Sequence, residues 1–513
     1  MPTLSLRLTA ATWGDARRST STLSSKGSKR VGLAGIILGL ALLIGMAWRG
    51  WSVLGLAPVA ALVAAAASGE PLLAHWTQTF MLAAGGFVGQ FFPLFLLGAL
   101  FGKLMEDSGS VGAIAQFMTT RLGARRAILA VVVAGALVTY GGVSLFVAIF
   151  VLVPMGQALF STAGIPNRLL PAAVMLGTST FTMSALPGTP SIQNAIPMPH
   201  FGTTPFAAPG LGLIASAIML GFGLWWLRRR EVSASRAEET LGTPTVDVSA
   251  VANDTLVRER ATTAREFDPA EMRHGRRSEE SPPPVLAFLP LVVVIVTNLM
   301  MSFLVLPRMN TSFLTEPRWG GITLSDVAGV WSVIVALAAA ITVVVLLNRG
   351  RLRALRDTAD AGMNASVLPL MSVASLVGFG SVVAALPAFA TVSDWVLGVE
   401  GGPLVGLAVS TNVLAALTGS ASGGLTIALG ALGPTYMEIA STHGIDPALM
   451  HRVAVIGAGT LDSLPHNGAV VTLLAVCGAT HKTSYLDIVV AVMIGPMIAL
   501  AAVILLGNLF GSF

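Results

Sequence analysis

Asp462, Ser463, His466 and Asn467 interrupt an otherwise apolar stretch, residues 453–476, VAVIGAGTLDSLPHNGAVVTLLAV. Asp462 and His466 stand four apart, so on a continuous helix they would share a face. Both titrate, and burial opposes the charged form of each, so a proton held between them could link protonation to ligand binding. The structural alternative is that Asp462 caps the helix that restarts after the break and His466 is a satisfied polar neighbour. Pro465 cannot donate a helix hydrogen bond and Gly468 follows closely, so the chain must break here. An aspartate at mid-membrane costs about 2.5–3.5 kcal/mol on insertion scales, which marks such a residue as functional.

The elements around this break are those of a membrane. Of 513 residues, 54% are hydrophobic and only 11% charged, and 55 glycines suit close helix packing. This composition excludes a soluble enzyme. The net charge of +5 comes from basic residues in short loops, where orientation signals belong, and does not point to nucleic acid. The single cysteine, Cys477, supports neither a disulfide framework nor a paired-cysteine metal site, and no metal or other cofactor is expected.

In chain order, residues 1–30 read as a disordered basic arm ending KGSKR, and apolar runs follow at 31–48, 52–67 and about 80–104. A cleaved signal peptide is the rival for the first run, but no clear small-residue cleavage site follows it. The cluster Arg121, Arg125, Arg126 should be cytoplasmic, as should Arg228-Arg229-Arg230, so an even number of crossings lies between them. Two are visible, a broken one near 169–198 and an intact one near 206–227. The segment 127–160, centred on Gly141-Gly142 and Ser144, must then be a re-entrant hairpin. Residues 228–284 read as a disordered cytoplasmic linker, rich in Ser, Thr, Glu and Arg and ending SPPP. The second half offers spans near 285–306, 327–347, 365–388 and 488–509. Between them lie a basic loop at 348–356 and a second hairpin at 405–439 whose tip is Thr418 to Gly424, with Gly423-Gly424 as its glycine pair. Counting back from Arg126 through three spans puts the basic arm outside. Either an early run is not a full span or the arm breaks the charge rule.

The halves resemble each other. Ser161-Thr162-Ala163-Gly164-Ile165 returns as Ser441-Thr442-His443-Gly444-Ile445, and at the same offset Pro154, Gly177 and Thr180 fall on Pro434, Gly457 and Thr460. With a two-residue gap, Leu186-Pro187 falls on Leu464-Pro465. The expected fold is an all-α polytopic membrane protein. Two inverted repeats, 31–227 and 285–513, each carry a re-entrant hairpin and a broken transmembrane helix.

The words GALFGKLMEDSG and ALPGTPSIQNAIP of the first half, with TGSASGGLTIALGALGP and LDSLPHNGAVVTLLAVCG of the second, resemble the gluconate permease family of the ion transporter superfamily. The second-half words are most similar to D-3-hydroxybutyrate permeases. The resemblance implies a bacterial inner-membrane protein performing proton-coupled uptake of small hydroxy-carboxylates; a homodimer is a further candidate partnership.

The residues themselves suggest how a carboxylate would be held. Hairpin tips and helix breaks present backbone N–H groups at helix N-termini, where an anion is favoured. Ser144, Thr178, Ser179, Thr180, Thr182 and Ser184 of one half, with Thr418, Ser420, Ser422 and Ser463 of the other, could complete the shell. Gln193, Asn194 and Asn467 could meet a substrate hydroxyl, and Met183, Leu186 and Leu464 a methyl. No Arg or Lys lies in either break, which suits a monocarboxylate better than citrate, although Arg168 or Arg452 could lean in. Sodium coupling, with carbonyls and hydroxyls at the breaks as ligands, is the rival to proton coupling through Asp462 and His466. An intramembrane hydrolase using Ser463, His466 and Asp462 is disfavoured, since all three sit on one broken turn without a supporting motif. A passive channel or scaffold would need neither paired breaks nor buried titratable groups.

Overall fold

The computed structural model describes residues 14–47, 49, 51–236, 268, 270–271, 274–398, 400–465 and 467–513. These are helical with connecting turns, and no strand occurs among the described residues. Six helices are long and apolar enough to cross a membrane: Leu72–Asp107, Pro209–Ala234, Pro284–Arg308, Leu324–Leu347, Leu355–Ala385 and His481–Phe510.

In chain order the first half comprises α1 (Gly14–Ala47), α2 (Val53–Ala67), α3 (Leu72–Asp107), α4 (Ser110–Leu122), α5 (Ala127–Tyr140), α6 (Leu145–Ala163), α7 (Leu170–Thr178), α8 (Phe181–Ser184), α9 (Ile192–Ala195), α10 (Pro197–Phe201) and α11 (Pro209–Arg236). The second comprises α12 (Pro284–Met300), α13 (Leu324–Leu347), α14 (Leu355–Asn364), α15 (Val367–Ala385), α16 (Phe389–Leu397), α17 (Pro403–Thr418), α18 (Ala421–His443), α19 (Pro447–Thr460), α20 (Gly468–Val476) and α21 (His481–Phe510).

The packing repeats as the sequence does. α1 packs on α2 and α12 on α13, while α2 meets α15 and α13 meets α3. Two further contacts join equivalent helices of the two halves, α3 with α15 and α11 with α21. The recurring word Ser-Thr-x-Gly-Ile is a repeated helix stop. Gly164 and Gly444 take φ of 69° and 65°, and the N–H groups of Ile165 and Ile445 reach back to Phe160 O at 2.9 Å and Ala440 O at 3.0 Å. Gly177 and Gly457 are matched close approaches. A Cβ on Gly177 would lie 2.3 Å from Val132 O in α5, and one on Gly457 would lie 2.5 Å from Thr411 Oγ1 in α17. Each broken helix thus lies against the first arm of its own hairpin.

The first arm of each hairpin is short, with 14 residues in α5 and 16 in α17. At ~1.5 Å per residue α5 is about 21 Å long, which is less than a hydrocarbon core of ~30 Å. α4 and α5 meet at a bend of 102°. The first hairpin turns at Gly141-Gly142, where Gly142 has φ of 95°. The second does not turn at the expected Gly423-Gly424. It turns at Gly419, with φ of 65°, and Gly423 and Gly424 sit in the first turn of α18. Their role is steric: a Cβ on Gly424 would fall 2.2 Å from Ala415 N, so that glycine lets α17 and α18 touch.

Three expectations about the ends of the halves change. The arm is helical from Gly14, continuous with the apolar run that starts at Val31, although its Ser, Thr and Gly are weak helix formers. The apolar parts of α1 and α2, Val31–Ala47 and Val53–Ala67, are shorter than the six long helices, and α3 begins at Leu72. The end of the linker is ordered against the membrane portion. Asp268 N donates to Ala365 O at 2.9 Å and Ser278 N to Asp107 O at 2.7 Å. Asp107 is buried, its carboxylate bonded to Lys103 Nζ at 3.1 Å and to Thr358 Oγ1 at 2.7 Å, so the strap covers groups that would be costly to expose to lipid.

Deleting residues 237–267 should therefore leave the melting temperature in detergent unchanged, whereas deleting 237–282 should lower it by several degrees, at about 2–4 °C per kcal/mol. Gly424→Val should abolish accumulation of folded protein. Gly430→Val, in the same helix with open space around it, should be tolerated; both are read by fluorescence size-exclusion chromatography.

Candidate functional site

In the second half the break is bonded to the hairpin tip. Asp462 Oδ1 accepts from Ala421 N, at the start of α18, and from Asn467 Nδ2, both at 2.8 Å. Asn467 Nδ2 also donates to Gly419 O at 2.8 Å, and its Oδ1 accepts from Ala469 N at 2.7 Å and Val470 N at 3.4 Å. Asn467 therefore caps α20 and grips the tip at once. The cap on α20 is Asn467, not Asp462, and Asp462 serves the neighbouring hairpin instead. Ser420 caps α18 by accepting from Gly423 N at 3.1 Å and lies 3.2 Å from Ser422 Oγ. Ser463 is buried, Thr418 Oγ1 donates to Leu414 O at 2.8 Å, and Pro465 O accepts from His481 Nε2 at 2.8 Å. His466 lies outside the described residues.

The first half has the same plan with different atoms. Tyr140 OH, at the tip, donates to Pro187 O in the break at 2.7 Å, and Asn298 Nδ2 of α12 donates to Gly188 O at 2.9 Å. Four of the first-half hydroxyls expected to receive a carboxylate are turned into the backbone. Thr178 donates to Val174 O, Thr180 to Leu176 O, Thr182 to Gly177 O and Ser184 to Thr180 O, at 2.7–3.1 Å. These are back-bonds to carbonyls four or five residues earlier in the chain, the pattern by which Ser and Thr hydroxyls satisfy themselves in and beside a helix. As spent donors they can offer a ligand only acceptor lone pairs.

Arg452 joins the halves, and its side chain is fully buried. Its Nε donates to Ala207 O at 3.1 Å, Nη2 to the same oxygen at 2.6 Å, and Nη1 to Ser184 O at 3.1 Å and Asn194 Oδ1 at 3.4 Å. No carboxylate is among these partners. Beside it His451 lies 3.1 Å from Asn194 Oδ1 through Nε2 and 2.6 Å from Thr203 Oγ1 through Nδ1. Asn194 Nδ2 donates to Thr189 O and Pro205 O. The amides of Asn194 and Asn467 thus have all their hydrogen-bonding capacity engaged by protein in this state, which removes both as receivers of a substrate hydroxyl. Gln193 is buried beside Asn194. Of the two arginines near the helix starts, it is Arg452 that leans in and sets its guanidinium against the first break. Arg168 points elsewhere: with Arg230 and Trp226 it bonds the buried Asp487 carboxylate at 2.9–3.0 Å.

A cavity of about 40 Å³ lies where the first hairpin tip, the first break, α3 and α13 meet. Gly142, Val143, Ser144 and Leu145 contribute the start of α6, Met183 and Ile192 an apolar wall, and Thr139 and Ser191 hydroxyls. At ~10–15 Å³ per water centre it has room for about three waters, so the site is closed around its polar tip. The tip of the second half has its leading N–H covered by Asp462. Under the repeat offset the first-half counterpart of Asp462 is Thr182, which has no carboxylate to offer.

Sequence reasoning missed Tyr140, Asn298, His451 and Asn412, which accepts from Thr460 Oγ1. Tyr140 could have been noticed, being one of three tyrosines and adjacent to the glycine pair. The others carried no local signal.

A helical bundle with several membrane-length helices, two hairpins and two broken helices bonded to their tips has the architecture of a membrane transporter. The family profile described as GntP family permease matches residues 31–203. The uncharacterized transporter YxjC of Bacillus subtilis (strain 168) is 39% identical over 483 residues, which cover 93% of this chain and 98% of that protein. The chain belongs to the GntP permease family, as the quoted words implied, and is a multi-pass membrane protein. Among solved structures it is similar to Neisseria gonorrhoeae MtrF, described with a class of antimetabolite efflux pumps, at 16% identity and a TM-score of 0.50 over 86% of this chain and 85% of that one. The Alcanivorax borkumensis YdaH transporter gives 19% identity and a TM-score of 0.47 over 86% and 90% of the two chains. The MtrF likeness is one of fold alone.

Asn467→Asp would set a second carboxylate against Asp462 and Gly419 O, whereas Asn194→Asp would face Arg452. The first should destabilise the protein by about 3 kcal/mol or more and the second by less, as read from thermal unfolding in detergent.

Proposed function

We propose that the protein is a proton-coupled importer of a small hydroxy-monocarboxylate in a bacterial inner membrane, with 3-hydroxybutyrate ahead of gluconate. The observation that carries the proposal is the unequal treatment of the two hairpin tips. At the second, a protein carboxylate, Asp462, binds the N-terminus of α18 at Ala421 N. At the first, the N-terminus of α6 borders a cavity with no protein carboxylate among its lining residues. The leading N–H groups of a helix have no partner within it, so the carboxylate of a substrate would take at α6 the place Asp462 takes at α18. Ser144 would bind beside it, and Ser191 or Thr139 would accept from the substrate hydroxyl. Met183 and Ile192 would cover a methyl. Gluconate brings five hydroxyls that each require a partner, and this wall is mostly apolar.

The same bond offers a route to proton coupling. Protonating Asp462 weakens it as an acceptor for Ala421 N and Asn467, and so loosens the second tip from its break. With the repeats inverted in the bilayer, the two tips would open to opposite sides in turn. Asp462 would be the proton carrier and His466 its neighbour in the exchange.

Uptake of labelled 3-hydroxybutyrate and gluconate into proteoliposomes, with pH and sodium gradients imposed separately, tests this. A pH gradient should drive accumulation of 3-hydroxybutyrate, and Asp462→Asn should lose accumulation while keeping counterflow exchange. Accumulation driven by a sodium gradient alone, or full pH-driven accumulation by Asp462→Asn, would refute the coupling. Uptake of gluconate but not 3-hydroxybutyrate would refute the substrate ranking.

A further inference from the structure

A second cavity, of about 110 Å³, lies between the ordered end of the linker and the loop joining α13 to α14. Arg276 and Arg277 stand on one side and Arg351 and Arg353 on the other, with Ser278, Glu279, Glu280 and Gly350 completing the wall. Four guanidinium groups and two carboxylates leave a formal charge of +2. Despite the glutamates, none of the four arginines makes a salt bridge to a described carboxylate. Arg351 has one long bond, from Nη1 to Asn348 Oδ1 at 3.4 Å, and its Nε is buried without any partner.

Both walls are fixed. Asn348 is buried, donates to Val344 O at 3.0 Å, and accepts at its carbonyl from Arg351 N and Leu352 N at 2.9 Å. Leu352 is buried between the two loop arginines and anchors them. Opposite, Ser278 N is bonded to Asp107 O, and Ser278 Oγ and Glu280 close a small turn. A Cβ on Gly275 would meet Asp107 Oδ2 at 2.3 Å, so only glycine lets the strap lie this close. The arginines are therefore held together by packing, and their repulsion is only partly offset, by Glu279 and Glu280 in the wall and by Glu106 near Arg277.

We propose that this cavity is a binding site for a single phosphate group, formed only when the linker end is docked. Guanidinium forks match the geometry of phosphate oxygens, and a buried Nε–H without a partner requires an acceptor. At the ~10–15 Å³ per water centre used for the first cavity this one has room for about seven to eleven waters, ample for one phosphate group between the two pairs of arginines. The phosphate belongs either to an anionic phospholipid headgroup or to a free phosphate, and the site chemistry is the same for both.

The test uses the full chain and two arms. In detergent, inorganic phosphate is titrated at constant ionic strength against a chloride control. In nanodiscs, lipid retained by the protein from phosphatidylcholine with and without phosphatidylglycerol is measured by native mass spectrometry. Binding in the first arm identifies a free phosphate, and binding only in the second identifies a headgroup. In whichever arm binds, Arg351→Gln and the exposed Arg276→Gln should each weaken binding about tenfold, the worth of one lost charge-assisted contact. Arg121→Gln, an exposed arginine outside the cavity, should leave it unchanged, as should deletion of 237–267. Deletion of 237–282 should abolish it. Absence of binding in both arms overturns the proposal, and so does equal weakening by Arg121→Gln, which would show only a general attraction to positive charge.

Discussion

The constraint on which the rest of the structure depends is the backbone of the two broken helices. A break in a helix strips carbonyl and N–H groups of their helical partners, and in a membrane protein each costs several kcal/mol unless protein replaces the partner. The replacements come from elsewhere in the chain. Tyr140 bonds Pro187 O, Asn298 bonds Gly188 O, and Asn194 bonds Thr189 O and Pro205 O. Arg452 bonds Ser184 O and Ala207 O, and Asn467 holds Gly419 O. Satisfying the breaks is thus what fastens each hairpin tip to its broken helix and one half to the other.

The two halves meet this demand differently. The second spends an aspartate and an asparagine, so its tip is held by groups that include a titratable one. The first spends a tyrosine, hydroxyls folded back on the chain, and an arginine borrowed from α19. A buried guanidinium bonded only to carbonyls and an amide is costly, and it persists here because several acceptors converge on it. One half thus carries a negative group at its break and the other a positive one, although the packing around them is shared.

Fastenings made of single hydrogen bonds suit a transporter. Each contributes about 0.5–1.5 kcal/mol net, or about 1.5–3 where Asp462 or Arg452 takes part, enough to favour a closed arrangement without making it irreversible. The larger scaffold contacts, α3 with α15 and α11 with α21, are made by long apolar helices. Motion is then expected to concentrate where the contacts are few and polar, at the tips and breaks.

Much of this was legible in the sequence because it is local. Composition and run length dictate a helical membrane protein; Leu186-Pro187 and Leu464-Pro465 mark the breaks, since proline cannot extend a helix. The Gly-Ile words mark a repeated stop, since only glycine takes the left-handed position cheaply. The family resemblance rested on the same short words. The tertiary structure alone decided which groups meet. Whether the second hairpin turned at Gly419 or at Gly423-Gly424 depended on which glycine lay against Ala415 and which was free to take a positive φ. Four first-half hydroxyls that read as ligand donors were spent on carbonyls four or five residues earlier in the chain. Arg452 reaches Ser184 across 268 residues and Tyr140 reaches Pro187 across 47. Such bonds require two atoms to fall within about 3 Å of each other. Spacing along a chain carries that information within one helix turn, and beyond it only packing does.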